Sequence, residues 1–258
     1  NVDGVRQLLV FARLAKAPIH HFSTVFVCGD RAGLCPEDAA SFGEPRNVYE
    51  ASKQQGEELL RAALETGELG GLTRYRPTIT ISDPDSAEMQ CGHGLQQFLR
   101  NLKRIASRIE SRDPSGRLPI LIDGRHDDPV HLAPVGWVAD VFAKIFNRPA
   151  LHGGVWHLAL KRPPTASQFR LAIERHLGIE IEGFTECSVP RQEDAMNPTE
   201  TLFYRLCRPI RPYISQKMRF DCDRMERDPE LQSRAEMPFD ARWWPAVYLE
   251  AHETAPGG

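Results

Sequence analysis

The chain has 258 residues, of which 41% are hydrophobic and 26% are charged, and this is enough apolar material for one or two buried cores. The formal net charge of -3 excludes the strongly basic surface typical of nucleic-acid binding, so no nucleic-acid partner is expected. No apolar run reaches the length of about 18 residues that a membrane helix needs, so no stable membrane span is predicted. The six cysteines form no C-x-x-C pair, which favours reduced thiols and a cytoplasmic location.

The first part of the chain shows alternating helical and strand patterns. Residues 1–16 are predicted to form an amphipathic helix, 21–28 a buried strand, 30–46 a polar loop, 47–66 a second helix and 72–81 the next strand. Alternation of this kind is typical of right-handed βαβ units, so an α/β fold with a parallel sheet is expected.

Further elements follow in the second part of the chain. They are a loop (82–93), a helix (98–109), a turn (113–116), a short strand (118–122) and a helix (165–178). The last helix is expected to be capped by Thr165 or Ser167 and to end at Gly178.

Tyr49 and Lys53 are four residues apart in the predicted helix 47–66, so their side chains project from one face. The Lys53 ammonium is expected to favour the phenolate and to lower the pKa of Tyr49 from its usual value of about 10. A position in the first helical turn would act in the same direction. A tyrosine tuned in this way can give or take a proton near neutral pH, although many helices carry Y-x-x-x-K by chance.

Three other motifs accompany this pair. Asn1 opens the first helix, Ser23 and Thr24 place hydroxyls in the strand that ends at Gly29-Asp30, and Arg76-Pro77-Thr78-Ile79 lies in the strand after the Tyr-Lys helix. In this order the motifs resemble the extended short-chain dehydrogenase/reductase family.

The resemblance implies a role for each motif. Tyr49 would donate a proton, Thr24 (with Ser23 as the alternative) would hydrogen-bond the substrate oxygen, Lys53 would bind ribose hydroxyls, and Asn1 would orient a water. The residues implied to bind the cofactor are Ser23, Tyr49, Lys53, Arg76, Pro77, Thr78 and Ile79.

The resemblance also implies a Rossmann-like parallel sheet with a smaller C-terminal substrate-binding region. No G-x-x-G-x-x-G turn occurs, so the sheet is expected to be incomplete, with its N-terminal strands and pyrophosphate loop upstream of Asn1. The fragment alone is therefore not expected to bind cofactor well or to catalyse.

The predicted domain division follows from the same resemblance. Residues 1–90 are assigned to the remainder of the Rossmann domain, 91–235 to the substrate-binding region and 236–258 to a C-terminal tail. Residues 128–160 are expected to return to the Rossmann domain, because 128–140 resembles a short strand and helix start of the family and 153–158 resembles its late edge strand.

Within the family, Ser23-Thr24-Val25-Phe26-Val27 is similar to the male-sterility-like branch, which contains fatty acyl reductases and thioester reductase domains. Pro212-Tyr213 with Phe220-Asp221, and Phe239-Asp240 through Tyr248, are similar to C-terminal motifs of fatty acyl reductases. The branch implies reduction of an acyl thioester, bound to coenzyme A or a carrier protein, to an aldehyde or alcohol. The implied cofactor is NADP or NAD, with NADPH favoured.

Two other functions stay open: a sugar-nucleotide or steroid-type enzyme of the same fold, and a non-catalytic domain that keeps the fold. The basic stretch Arg208, Arg211, Lys217 and Arg219 is either a solvated face or a contact for a phosphorylated carrier. The histidines lack the spacing of metal ligands, so no metal is predicted, and the absence of a G-x-S-x-G elbow excludes a hydrolase triad.

Overall fold

The computed structural model describes residues 1–38, 42–81, 94–110, 117–187, 191–214, 216–236 and 239. The helices are α1 (Val2–Ala15), α2 (Val48–Glu65), α3 (Gly94–Glu110), α4 (Val135–Phe146), α5 (Ala166–Leu177), α6 (Pro198–Leu206), α7 (Arg211–Ile214), α8 (Asp223–Arg227) and α9 (Gln232–Ala235). The strands are β1 (Ile19–Phe22), β2 (Gly33–Cys35), β3 (Leu72–Pro77), β4 (Ile79–Ile81), β5 (Arg117–Ile122), β6 (Leu132–Pro134), β7 (Gly154–Leu158), β8 (Glu180–Phe184) and β9 (Met218–Phe220).

The chain forms two compact units that interleave in sequence. The first consists of Asn1–Thr80, His131–Pro163 and Lys217–Pro238, and the second of Ile81–Val130, Pro164–Gln216 and Phe239–Gly258. Lys217–Pro238 thus belongs to the first unit, where β9 pairs with β2, whereas the sequence-based division places most of this segment with the substrate-binding region.

The first unit is built on a parallel sheet of order β1-β3-β7. Phe22 lies beside Tyr75, and Tyr75 beside Trp156, so the three strands are in register across the sheet. The parallel α/β architecture expected from the alternating pattern is confirmed. The same region also contains two two-stranded sheets, which pair β2 with β9 and β4 with β6.

Helices α1 and α2 pack together beside this sheet. Their contact forms a buried apolar cluster, in which α1 contributes side chains at helical spacing. The members are Val5, Leu9, Ala12, Ile19, Leu60, Ala63, Leu69 and Leu72. Because residues three and four apart share one helix face, this packing fixes which face of α2 is left for the polar residues.

The second unit contains the parallel pair β5–β8 and the helices α3, α5, α6 and α7. The Phe98 ring lies 6.3 Å from the Phe169 ring and 5.6 Å from the Phe203 ring, centroid to centroid, and these contacts form an aromatic core. Helix α5 has the predicted caps: Thr165 and Gln168 form a capping box, and Gly178 ends the helix with φ 66°.

The predicted strand 21–28 is wrong beyond Phe22. The strand ends at Phe22, and Val25–Cys28 forms a buried 3-10 helix with Thr24 as its N-cap. A short apolar run is compatible with either a strand or a helical turn. Here the Thr24 hydroxyl accepts a hydrogen bond from the Phe26 N–H, which stabilises the helical turn.

Two other predicted elements differ from the structure. The predicted strand 72–81 is divided into β3 and β4 at Thr78, whose N–H donates to Leu158 O at 3.3 Å. The predicted loop 30–46 contains β2. The predicted turn 113–116, loop 82–93 and most of the tail 236–258 lie outside the described residues. Within the described part of the chain, no helix is both long and apolar enough to cross a membrane.

Candidate active site

Tyr49 lies in the first turn of α2, as the sequence predicts. The helix begins after Asn47, whose side-chain oxygen accepts a hydrogen bond of 2.9 Å from the Glu50 N–H. Tyr49 remains 47% exposed, and the Thr24 side chain is the hydrogen-bonding group that acts to lower its pKa. A proton-carrying phenol and a second hydroxyl therefore meet at one accessible point.

Thr24 reaches this point from the end of β1. Its side chain is buried, it caps the 3-10 helix Val25–Cys28, and its hydroxyl lies 3.4 Å from both the Phe26 N–H, which donates to it, and the Pro77 carbonyl, which accepts from it. These contacts tie the hydroxyl to β3 as well as to its own turn. Thr24 is thus placed by backbone groups and does not depend on flexible side chains.

Lys53 lies one turn after Tyr49 on the same face of α2. Its Nζ donates to the Phe22 carbonyl at 3.2 Å, at the end of β1. Burial lowers the pKa of Lys53, while the Glu57 carboxylate acts in the opposite direction. The ammonium is half-buried and ready to donate to further acceptors.

The expected lowering of the Tyr49 pKa is wrong for this arrangement. Burial raises the pKa of Tyr49, Glu50 adds to the rise, and the hydrogen bond with Thr24 lowers it only in part. Lys53 is directed to a backbone carbonyl and does not offset the burial. Tyr49 is therefore a protonated phenol at neutral pH, which is the form of an acid and not of a base.

Glu57 is a component of the site that the sequence analysis missed. It lies one turn beyond Lys53, is completely buried, and accepts hydrogen bonds from Arg76 at 2.8 and 2.7 Å and from Arg74 at 3.3 Å. Burial alone would raise the pKa of Glu57, but Arg76, with Ser23 and Arg74, holds it below its usual value. The spacing of Tyr49, Lys53 and Glu57 at successive turns was the available signal.

The cofactor contact predicted for Arg76 cannot involve its guanidinium. That group is 1% exposed, is bound to Glu57, and also contacts the Glu37 carbonyl at 3.4 Å and His157 Nε2 at 3.3 Å. Its physical role is to neutralise a buried carboxylate.

The other residues implied to hold the cofactor lie at the ends of β1 and β3. Ser23 is buried beside Glu57, Pro77 follows on β3, and the buried Thr78 hydroxyl has no hydrogen-bond partner among the described residues. Ile79 donates its N–H to the His131 carbonyl. An unsatisfied buried hydroxyl directly after Pro77, whose carbonyl accepts from Thr24, fits a polar ligand such as the nicotinamide-ribose end of a dinucleotide.

Asn1 stands at the N-cap of α1, and its side-chain amide donates to Ser52 Oγ at 2.8 Å. This contact places it beside the residue that precedes Lys53. The water that Asn1 is implied to orient stays a prediction.

Two buried histidine side chains in the first unit contact backbone carbonyls. His131 Nε2 lies 2.9 Å from the Met218 carbonyl, and His157 Nδ1 lies 2.9 Å from the Asp221 carbonyl. Burial lowers the pKa of His131 to about 4 and that of His157 to about 3. Both ring nitrogens of His157 have partners, whereas His131 Nδ1 is buried without one among the described residues. No group of three or more His, Cys, Asp or Glu within the described ranges could hold a metal ion.

The basic stretch 208–219 is divided between the two units. Arg211, in the second unit, binds the Asp123 carboxylate and lies over the Tyr204 ring at 4.2 Å. Its guanidinium is therefore engaged in an internal network, which reduces its availability for a phosphorylated carrier.

Comparison with known families identifies the segment that contains this site. An NAD-binding family model, described as male sterility protein, matches residues 1–142. No curated protein matches the chain in sequence.

Several solved structures are similar in fold. The chain is similar to the terminal R domain from the myxalamid PKS-NRPS biosynthetic pathway, with a TM-score of 0.60 and 18% identity over 90% of this chain and 56% of that one. It is similar to DesIV, the dTDP-glucose 4,6-dehydratase of Streptomyces venezuelae, with a TM-score of 0.61 and 19% identity over 97% of this chain and 66% of that one. It is also similar to UDP-glucuronic acid 4-epimerase from Bacillus cereus, with a TM-score of 0.58 and 15% identity over 95% of this chain and 64% of that one. At these identities the likeness shows the fold alone, and the chain spans 56% to 66% of the length of these structures.

Proposed function

The chain belongs to the male sterility protein family, and we propose that it carries the catalytic residues of an NAD(P)H-dependent reductase of acyl thioesters. The substrate would be an acyl group on coenzyme A or on a carrier protein, and the product an aldehyde or an alcohol. The observation that carries the proposal is the position of Tyr49 and Lys53 at successive turns of α2, with Lys53 bound to the Phe22 carbonyl at the strand end that leads into Thr24.

The residues at the ends of β1 and β3 fit the nicotinamide end of the cofactor. Lys53 would donate to ribose hydroxyls, and Ser23 and Thr78 would supply further hydroxyl groups. These residues would hold the reduced nicotinamide, which would supply a hydride to the carbonyl carbon of the thioester. NADPH is favoured over NADH by the resemblance to the male-sterility-like branch.

Thr24 and Tyr49 would act on the carbonyl oxygen. Both hydroxyls are placed before the reaction begins, so they can stabilise the negative charge that develops on that oxygen without reorganising. Tyr49 would then give up its proton. Because burial raises the pKa of Tyr49, the phenol enters the reaction protonated, which suits reduction of a carbonyl better than oxidation of an alcohol.

The choice of substrate rests on the family and on its motifs. The run Ser23 to Val27 and the Pro212-Tyr213 and Phe220-Asp221 pairs are similar to reductases of acyl thioesters. The fold is shared with sugar-nucleotide enzymes, so a dehydratase or epimerase activity is the second candidate.

A substrate panel with the purified full-length protein separates these candidates. Oxidation of NADPH and NADH would be followed with a long-chain acyl-CoA, a carrier-bound acyl thioester, a UDP-sugar and a dTDP-sugar. We expect turnover with the thioesters, loss of turnover by at least about 100-fold in Tyr49→Phe, and little change in Val48→Ala, an exposed neighbour. If the protein turned over only the sugar nucleotides, its substrates would be sugar nucleotides and not acyl thioesters. Cofactor binding without any turnover would support a non-catalytic domain, and full activity of Tyr49→Phe would reject the site.

A further inference from the structure

Ser52 connects the start of α1 to the turn of α2 that carries Tyr49. Its hydroxyl donates a hydrogen bond of 2.8 Å to the Tyr49 carbonyl oxygen, three residues earlier, and its Oγ accepts one of 2.8 Å from the side-chain amide of Asn1. Helices α1 and α2 already pack together through their shared apolar cluster. The bond between Asn1 and Ser52 is a polar contact between the same two helices, next to Lys53 in the sequence of α2.

The two hydrogen bonds determine which end of the Asn1 amide faces Ser52. A serine hydroxyl has one proton, and in Ser52 this proton is used for the Tyr49 carbonyl. Oγ can then only accept from Asn1, so the NH2 group of the amide points to Ser52. The Oδ1 atom of Asn1 is therefore the end that is left to accept a hydrogen bond from another group.

Asn1 gives up an ordinary local role to make this contact. Asparagine is favoured at a helix N-cap because its side-chain oxygen accepts from a backbone N–H of the first turn. Asn1 occupies the N-cap of α1, yet no N–H in the described first turn of that helix donates to its side chain. Departures from a strong local preference are expected at functional sites. The orientation of the Asn1 side chain is thus set by Ser52 and not by its own helix.

We propose that Ser52 is a positioning residue, which orients the Asn1 amide and holds it at the turn of α2 that carries Tyr49 and Lys53. Ser52 contacts no reacting atom in this assignment and acts through Asn1. Its effect on turnover rests on the proposed function, whereas the orientation of Asn1 is independent of the substrate. Oδ1, held as an acceptor, suits the water that Asn1 is implied to orient, because a water can donate to Oδ1 and accept from a lysine ammonium.

The first test reads the orientation of Asn1 by nuclear magnetic resonance of the purified full-length protein, labelled with nitrogen-15 asparagine. The Asn1 side-chain amide is identified by its absence in Asn1→Ala. We expect Ser52→Ala to shift this signal and to speed the exchange of its protons with water, because their acceptor is lost. Ser52→Thr should keep both close to wild type, since a threonine hydroxyl in a helix can make the same bond to a preceding carbonyl. An Asn1 signal that is unchanged in Ser52→Ala would overturn the proposal.

The second test measures oxidation of NADPH with an acyl thioester. In Ser52→Ala we expect kcat to fall by about tenfold and KM to change by less than about twofold, because the acting groups are misplaced while the binding contacts stay. Ser52→Thr should recover kcat. In the double variant Asn1→Ala/Ser52→Ala, kcat should be no lower than in Asn1→Ala, because Ser52 acts through Asn1. The matched control is Ser107→Ala, which removes a similar bond in α3, from the Ser107 hydroxyl to the Lys103 carbonyl at 3.1 Å, and should keep wild-type turnover.

The outcomes distinguish this proposal from the proposed function. Wild-type kcat in Ser52→Ala, or a double variant that multiplies the two single losses, would overturn the role of Ser52, while Tyr49→Phe would still test the reaction. A fall in kcat that Ser52→Thr does not recover, with urea midpoints equal to wild type, would overturn it in favour of a packing role. If the wild-type protein turned over no thioester, the proposed function would fail, and the asparagine spectra alone would support or overturn the orientation of Asn1 by Ser52.

Discussion

The Glu57 carboxylate and the Arg76 guanidinium form a two-point ion pair, with Nε–Oε1 and Nη2–Oε2 distances of 2.8 and 2.7 Å and 1% or less of either side chain exposed. The pair connects α2 to β3. Since Tyr49 and Lys53 precede Glu57 on the same helix face, the pair fixes their distance from the strand ends that carry the other site residues.

Removing one partner of the buried Glu57–Arg76 pair should lower the stability of the fold. In Arg76→Met the Glu57 carboxylate loses both of its short hydrogen bonds, so we expect the free energy of unfolding to fall by about 3–5 kcal/mol. Urea unfolding followed by circular dichroism measures this loss. The matched control is Arg61→Met, which removes the exposed pair with Glu65 and should cost about 0–1 kcal/mol.

The double variant Glu57→Leu/Arg76→Leu completes the comparison. Replacing both charges with apolar groups removes the unpaired carboxylate, so the double variant should be more stable than Arg76→Met. If Arg76→Met and Arg61→Met lost the same stability, the buried pair would not be what holds α2 against β3.

Local patterns in the sequence predicted much of this site. The cap at Asn47 and the four-residue spacing of Tyr49 and Lys53 are relationships between residues close in sequence. The start of α2 and the shared face of Tyr49 and Lys53 could therefore be predicted. Helix α5 with its cap at Thr165 was predictable for the same reason.

Interactions between distant residues were not predictable in this way. Nothing local shows that Arg76 turns toward Glu57 instead of a ligand, since the pair forms only when α2 packs on β3. The rise in the Tyr49 pKa has the same origin: burial is a property of the assembled fold, and it outweighs the neighbouring charge that helical spacing suggested.

Thr24 should matter through its hydroxyl. In Thr24→Val the hydrogen bond that lowers the Tyr49 pKa is lost, so that pKa should rise further, and removal of one oxyanion donor should reduce turnover by about 10²–10³-fold. The pH dependence of turnover and the ultraviolet titration of Tyr49, taken as a difference from Tyr49→Phe, measure the two effects.

Thr24→Ser is the matched control for this experiment. It keeps the hydroxyl that accepts from the Phe26 N–H and contacts Tyr49, so turnover should recover to within about tenfold of wild type. Equal losses in the valine and serine variants would assign Thr24 a packing role in place of a chemical one.

Acid should destabilise the first unit through its buried histidines. His157 has a folded pKa of about 3 and His131 of about 4, both below the unfolded value of 6.5, so the unfolded state binds more protons between these limits. The stability that comes from keeping these two rings neutral is fully present above pH 6.5, and it is lost as the pH falls toward 4 for His131 and 3 for His157. Glu37, whose pKa burial raises to about 7, acts in the opposite direction between pH 4.5 and 7.

Urea unfolding at a series of pH values, with nuclear magnetic resonance of the histidine ring protons, tests this expectation. In His157→Gln the slope of stability against pH below 6.5 should become shallower by up to about 1.4 kcal/mol per pH unit, because one proton-binding group is removed. Titration of the His157 ring near pH 6.5 in the folded protein would contradict the burial of that ring.

Gly29 should tolerate substitution less well than Gly33, although both have positive φ. A Cβ at Gly29 would lie 2.4 Å from the Glu44 carbonyl oxygen, whereas a Cβ at Gly33 meets no atom within 4 Å. Gly33→Ala should therefore lower the free energy of unfolding by about 1–2 kcal/mol, the cost of a left-handed backbone at a residue with a side chain. Gly29→Ala should lower it further, because the Glu44 backbone must also be displaced. Urea midpoints of the two variants give the difference directly. Equal midpoints would show that the segment around Glu44 moves freely, and a loop that moves freely would not fix the start of α2, where Tyr49 lies.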